Sequence, residues 1–265
     1  MDPIRRALRY LFGLGPYVLL SGAEAAWESL DAARARRAWA GLLAFSLAYG
    51  LAGAGAWSLA SACFGWETLL PALAAVALVA GWFYRRAIVA AGRVLSCGRG
   101  ELSVLAGLLV VSLLAVYACL RGGEAGREMD LPAWLAWARP YERHYRLLIL
   151  APLWGAWAML IAPKLSVARA SAGSNIEAFA QGCEPFAAAA ALALPLLLSL
   201  FYLQFLHWWW QVLVPAISAI AAVCAGTLSV RRLGLTRSAL LAANVLAQLA
   251  FLLAYLAGRH LGLKY

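Results

Sequence analysis

Residues 154–185 read WGAWAMLIAPKLSVARASAGSNIEAFAQGCEP. The first part is the end of an apolar helix, closed near Pro163. The second is polar, rich in Ser, Ala and Gly, and contains Arg169, Asn175 and Glu177. Such a change marks a chain leaving a bilayer, whose hydrocarbon core accepts backbone only as helices or closed barrels. The rest of the sequence agrees: of 265 residues, 65% are hydrophobic and 13% charged, where a soluble domain carries about a quarter charged residues. Apolar blocks recur along the whole length, each near the ~20 residues that a spanning helix requires. The ~10-residue alternation of barrel strands is absent. The fold class is therefore an all-α polytopic integral membrane protein, with the lipid bilayer as its first partner.

Seven spans are predicted, at 39–64, 68–84, 102–120, 147–162, 186–205, 212–230 and 240–256. Ahead of them, residues 1–12 place Ile4, Leu8, Leu11 and Phe12 along one side, with Arg5, Arg6 and Arg9 between, as in an interfacial amphipathic segment. A signal peptide competes, because arginines precede an apolar run and Ala23-Glu24-Ala25 has the form of a cleavage site. Gly13, Gly15 and Pro16 interrupt that run, and cleavage would leave Arg34, Arg36 and Arg37 on the translocated side. Residues 23–38 read as a surface helix, so that 1–38 form an N-terminal cytoplasmic segment and 39–265 a single transmembrane domain. Glu24, Glu28 and Asp31 would share one face of that helix, a spacing suited to Mg²⁺. A solvated acidic face is the plainer reading.

The seven spans divide Lys and Arg unequally, with 15 on the side of the amino terminus and 7 on the other. The positive-inside rule then puts the N-terminus in the cytoplasm and the C-terminus outside a bacterial cytoplasmic (inner) membrane. The net charge of +10 is accounted for by these loops, with no nucleic-acid partner required. The loops at 85–101, 162–185 and 231–239 fall on the cytoplasmic side, where they would converge.

Gly50, Gly53 and Gly55 suit close helix contact. Trp208, Trp209 and Trp210 beside His207 read as an interfacial belt in preference to a haem or quinone site. The five cysteines, without paired spacing, read as small buried hydrophobes. Because the predicted spans hold no Asp, Glu, Lys or Arg, an ion-coupled pump is disfavoured. P-loop, GxSxG and HExxH motifs are missing, and three histidines make no metal cluster.

From Trp154 onward, the order of features resembles the cobalamin synthase family, adenosylcobinamide-GDP ribazoletransferase. Its Arg-Trp-Ala-Met-like helix ending, Ala-Arg-Pro-Glu-Gly-like loop and following Phe are similar to Trp154-Gly155-Ala156-Trp157-Ala158-Met159, Ala168-Arg169-Ala170-Ser171-Ala172-Gly173 and Glu177-Ala178-Phe179. Its Gly-Gly-x-Thr-Gly-Asp turn is similar to Leu233-Gly234-Leu235-Thr236-Arg237-Ser238, with Asn244 and Gln248 in the helix that follows. Residues 39–110 resemble it faintly.

The resemblance implies transfer of a ribazole-type nucleoside to a GDP-activated corrinoid at the cytoplasmic face, with Mg²⁺ held by acidic side chains. Here the family's Asp-rich signature falls on Arg86 to Val94 without an aspartate, and its turn aspartate is Arg237. Arg86, Arg93, Arg169, Asn175, Glu177, Thr236, Arg237, Ser238 and Asn244 are the candidate phosphate- or substrate-binding residues. Glu24, Glu28 and Asp31, or Glu177, would have to supply a metal site. Two readings follow: a divergent transferase dependent on Mg²⁺, or a non-enzymatic membrane protein that binds a phosphorylated ligand, scaffolds a complex or passes a small solute. Oligomeric state, a homo-oligomer included, stays open.

Overall fold

A computed structural model of the chain describes residues 14–64, 69–96, 101–121, 143–165, 173–204 and 206–262, and every regular element among them is a helix. In chain order these are α1 (Leu14–Leu20), α2 (Glu24–Glu28), α3 (Ala32–Phe64), α4 (Leu69–Ser96), α5 (Glu101–Arg121), α6 (Arg143–Leu165), α7 (Ser174–Gly182), α8 (Pro185–Ala190), α9 (Ala193–Tyr202), α10 (Trp208–Leu233) and α11 (Arg237–Gly262). The interfacial segment predicted at 1–12 lies outside the described residues, as does most of the polar stretch 121–146.

Five segments are long and apolar enough to cross a membrane: Ala32–Phe64, Arg146–Leu165, Pro185–Tyr202, Trp208–Leu233 and Arg237–Leu261. The Pro185–Tyr202 segment joins α8 and α9. In α4, Leu73–Gly81 and Tyr84–Ser96 meet at 80° and together make a sixth candidate, while Val104–Val116 in α5 is a shorter apolar helix.

Several boundaries differ from the sequence reading. Residues 23–38 do not form one helix. The chain turns after Glu28, and Asp31 Oδ1 accepts the Ala33 N–H at 3.0 Å, the bond by which Asp begins a helix. Glu24 and Glu28 therefore sit on α2, whereas Asp31 starts α3, so the predicted shared acidic face does not form. Nor are residues 85–96 a loop. Tyr84, Ala87, Ala91 and Val94 are buried and Arg85, Arg86 and Arg93 exposed, an amphipathic spacing that carries the helix to Ser96. Trp208 to Gln211 form the first turn of α10 rather than a linker.

The bundle packs around α6, whose apolar side chains are almost wholly buried. The Trp154 ring stacks on Phe251 of α11 with centroids 6.5 Å apart. Its indole N–H donates to Ser199 Oγ at 3.1 Å, and that of Trp157 donates to the Ala188 carbonyl at 3.0 Å. Both donors find partners away from water, as burial requires, and the two bonds tie α8 and α9 to α6. Of the three glycines expected to permit close helix contact, only Gly50 does so: an added Cβ would stand 2.7 Å from Ile149 Cα on α6. Beyond Gly53 and Gly55 there is open space.

The helix ends define the frame for the site. Gly15 of α1 lies against Ala38 of α3, and Arg237 at the start of α11 reaches the end of α1. At the opposite end, Arg259 of α11 donates to the Cys119 carbonyl of α5 at 3.5 Å, and Gly258 meets Trp210 of α10. Thus α3 and α11 start at the same end of the bundle.

Candidate functional site

At the end where α3 and α11 begin, polar side chains close the carboxyl ends of short helices. An α-helix leaves its last carbonyls without intrahelical partners, and α1, α2 and α7 are too short to be stable alone. Arg237 serves α1. Its Nε donates to the Leu19 carbonyl at 3.0 Å, Nη2 to the carbonyls of Val18 at 2.9 Å and Gly22 at 2.6 Å, and Nη1 to Glu24 Oε2 at 2.7 Å. The guanidinium side chain is 1% exposed and the Glu24 side chain 62%, so the carbonyls rather than the ion pair hold the buried part of the charge. Arg86 and Glu28 lie close enough to act on it electrostatically.

Asn175 does the same for α2. Its Nδ2 lies 2.8 Å from the Trp27 carbonyl, 3.3 Å from that of Glu28 and 3.0 Å from that of Leu30. Lys164, in the last turn of α6, closes α7 through a 2.5 Å bond to the Ala180 carbonyl, the favoured place for a cation on the helix dipole. Next to it, burial pushes the Cys183 thiol above the ordinary range and Lys164 partly opposes this. Gly173 begins α7 at φ 112°, and the Glu28 carboxylate occupies the space beside it, 3.1 Å from where a Cβ would stand.

The remaining candidates divide by place. Thr236 caps α11, its Oγ1 accepting the Ala239 N–H at 3.1 Å; Ser238 is half-buried in the first turn. Arg86, Arg93 and Glu177 are exposed at this end or on the second arm of α4. Arg169 lies outside the described residues. Asn244 does not join the group: seven residues into α11, about 10 Å along the axis, it is fully buried. It donates to Met159 Sδ at 3.2 Å and accepts from Gln248 Nε2 at 2.6 Å.

The start of α7 and the start of α11 each meet α1–α2, through Asn175 and Arg237; of the three loops expected to converge, 85–96 is helix and 97–100 and 166–172 lie outside the described residues. The acidic trio is not assembled: Glu24 turns to Arg237, Glu28 to Gly173 and Asp31 to Ala33. Among the described residues no three His, Cys, Asp or Glu side chains group closely enough for a metal ion. Among the described residues at this end the carboxylates are engaged separately, Glu24 by Arg237, Glu28 beside Gly173 and Asp31 by the Ala33 N–H, an arrangement that does not fit Mg²⁺. No family model, curated protein or solved structure matches the chain.

The polar clamps have a measurable consequence. Asn175→Asp removes an amide donor that faces three carbonyls, of which that of Trp27 also accepts the Leu30 N–H at 3.1 Å, and sets a carboxylate against them. We expect a loss of about 2–4 kcal/mol, a buried hydrogen bond plus the desolvation of a charge, with Asn175→Ala at about 1–3 kcal/mol. Reversible unfolding in mixed detergent micelles reads both. Equal stability of the Asp variant and the parent protein would contradict the capping role.

Proposed function

We propose that the chain is a multi-pass inner-membrane protein of cobalamin synthase-like organisation that binds a phosphorylated ligand at its arginine-rich end without carrying out ribazole transfer. Seven crossings, with the N-terminus cytoplasmic, are part of this reading. They are supported by the unequal division of Lys and Arg, and by α3 and α11 starting at one end, which requires an odd number of crossings if both span.

One observation carries the proposal: Arg237, at the position of the family's turn aspartate, is spent on α1 and α2. A guanidinium there repels the cation that ribazole transfer needs to neutralise diphosphate charge. Exposed Arg86 nearby, with Arg34, Arg36, Arg37, Arg231 and Arg232 exposed at neighbouring helix ends, supplies donors suited to phosphate oxygens.

The test is a ribazoletransferase assay of the purified protein in nanodiscs, with adenosylcobinamide-GDP, α-ribazole and Mg²⁺, beside equilibrium binding of the activated corrinoid with and without Mg²⁺. We expect product at the level of a no-protein control, and binding that needs no Mg²⁺ and weakens as salt screens the arginines. Turnover above the control would return the chain to the transferases. An Arg237→Asp variant assayed in parallel shows whether one restored carboxylate recovers chemistry; none is expected.

A further inference from the structure

Away from the charged end, a cavity of about 100 Å³ lies among α3, α4, α5, α6 and α11. Its wall is mostly apolar, with Val76, Val116 and Leu252 among the lining residues, but Tyr49 and Gln248 also face it. A glutamine in mid-helix within a bilayer is costly unless its amide is satisfied. One N–H of Gln248 is satisfied by Asn244, itself bonded to Met159, which leaves the carbonyl oxygen and the second N–H outside that chain. Beside Gln248 lies the buried Tyr84 hydroxyl, which has Gln248 as its hydrogen-bonding neighbour without closing a bond of full geometry. The Tyr84 ring packs edge-on against Tyr49, with centroids 4.9 Å apart.

Two further features keep the space open. Gly53 is buried and lines the cavity, yet a Cβ built on it would meet no atom within 4 Å. Pro152, also in the wall, has no N–H, so the carbonyl of Leu148, another lining residue, receives no helical bond from it. The Gln248 amide thus faces an apolar void, with the Tyr84 hydroxyl behind it. Native interiors rarely leave buried polar groups without partners.

We propose that this cavity is a binding site for a neutral, ring-sized lipophile bearing a hydroxyl group, seated on the apolar wall with its hydroxyl bonded to the Gln248 amide. Neutrality follows from the lining, which holds no Asp, Glu, Lys or Arg; a charged head would lie uncompensated in low dielectric. The volume of about 100 Å³ limits the ligand to a single ring at most, since the engineered cavity that accepts benzene is larger, roughly 150 Å³. The site is independent of the phosphate-binding reading above and stands whether or not that reading holds.

The test uses the full chain in nanodiscs, with 4-fluorophenol as probe and 4-fluorotoluene as its hydroxyl-free counterpart, followed by ¹⁹F NMR against empty nanodiscs. We expect saturable binding of 4-fluorophenol, roughly tenfold weaker for 4-fluorotoluene and roughly tenfold weaker for Gln248→Leu, the loss of one hydrogen bond in each case. Gly53→Leu and Ala80→Leu fill the space from different walls, and either one that retains the parent's thermal transition should abolish saturation. The site is refuted if 4-fluorophenol only partitions linearly as into empty nanodiscs, or if saturable binding persists in a folded cavity-filled variant. Equal affinity of the two probes would refute the role of Gln248.

Discussion

Arg237→Ala is expected to destabilise the fold by about 3–5 kcal/mol, the cost of removing one partner from a buried charged network. Three backbone carbonyls, of Val18, Leu19 and Gly22, lose the guanidinium at once, Val18 keeping the Gly22 N–H at 3.1 Å, and each charge-assisted bond is worth about 1.5–3 kcal/mol, although not additively. Glu24 contributes little to this total. Its carboxylate is mostly in solvent, so Glu24→Gln should cost less than about 1 kcal/mol. Arg237→Lys separates charge from geometry, because an ammonium carries the charge but cannot span four acceptors with a planar fork. It should fall between the parent and the Ala variant. Unfolding in mixed micelles gives the energies, and amide hydrogen exchange gives the location: residues 18–24 should lose protection first, with the core of α6 unaffected. If Arg237→Ala and Glu24→Gln cost the same, the guanidinium is only an ion-pair partner and not the clamp on α1.

Gly182→Val is the second large effect. The last residue of α7 lies directly on the backbone of Arg36 in α3, and a Cβ would collide with the Arg36 carbonyl oxygen and stand 2.5 Å from Arg36 Cγ. A long side chain can swing aside, but a carbonyl within a helix cannot move without displacing its neighbours. The cost should therefore reach or exceed the upper end of the 1–3 kcal/mol typical of overpacking, and α7 should separate from α3. Because α7 also presents Asn175 to α2, this variant should expose 27–30 to exchange as well, coupling the two clamps. Gly53→Ala is the matched control, with nothing within 4 Å of the added carbon; it is expected to change stability by less than about 0.5 kcal/mol. Similar losses from the two substitutions would mean that α7 does not pack as described.

Legibility in the sequence depended on the range of the interaction. Composition and the recurrence of apolar blocks decided that the chain is helical and membrane-embedded, since a bilayer imposes one length and one backbone solution on every span. The meeting of the starts of α7 and α11 on α1–α2 was not legible, because it depends on contacts between distant segments. Nor were roles within that group. Arg237 and Asn175 read equally well as ligands for phosphate or for carbonyls, because guanidinium and amide donors serve both, and their acceptors lie 213 to 219 and 145 to 148 residues away. The spacing of Glu24, Glu28 and Asp31 suggested one face only on the assumption of an unbroken helix, which the Asp31 cap interrupts.

Gly53 shows the limit most plainly. Its reading as a contact glycine was sound by composition, yet the facing helix approaches at Gly50 and withdraws a turn later, leaving a cavity beneath the Gln248 amide. The sequence alone determined the solvent the chain lives in and the periodicity by which it buries itself, because both are set by local composition. Only the tertiary structure decided which cations are spent on helix ends and where the packing leaves space, because these depend on distances between segments far apart in the chain.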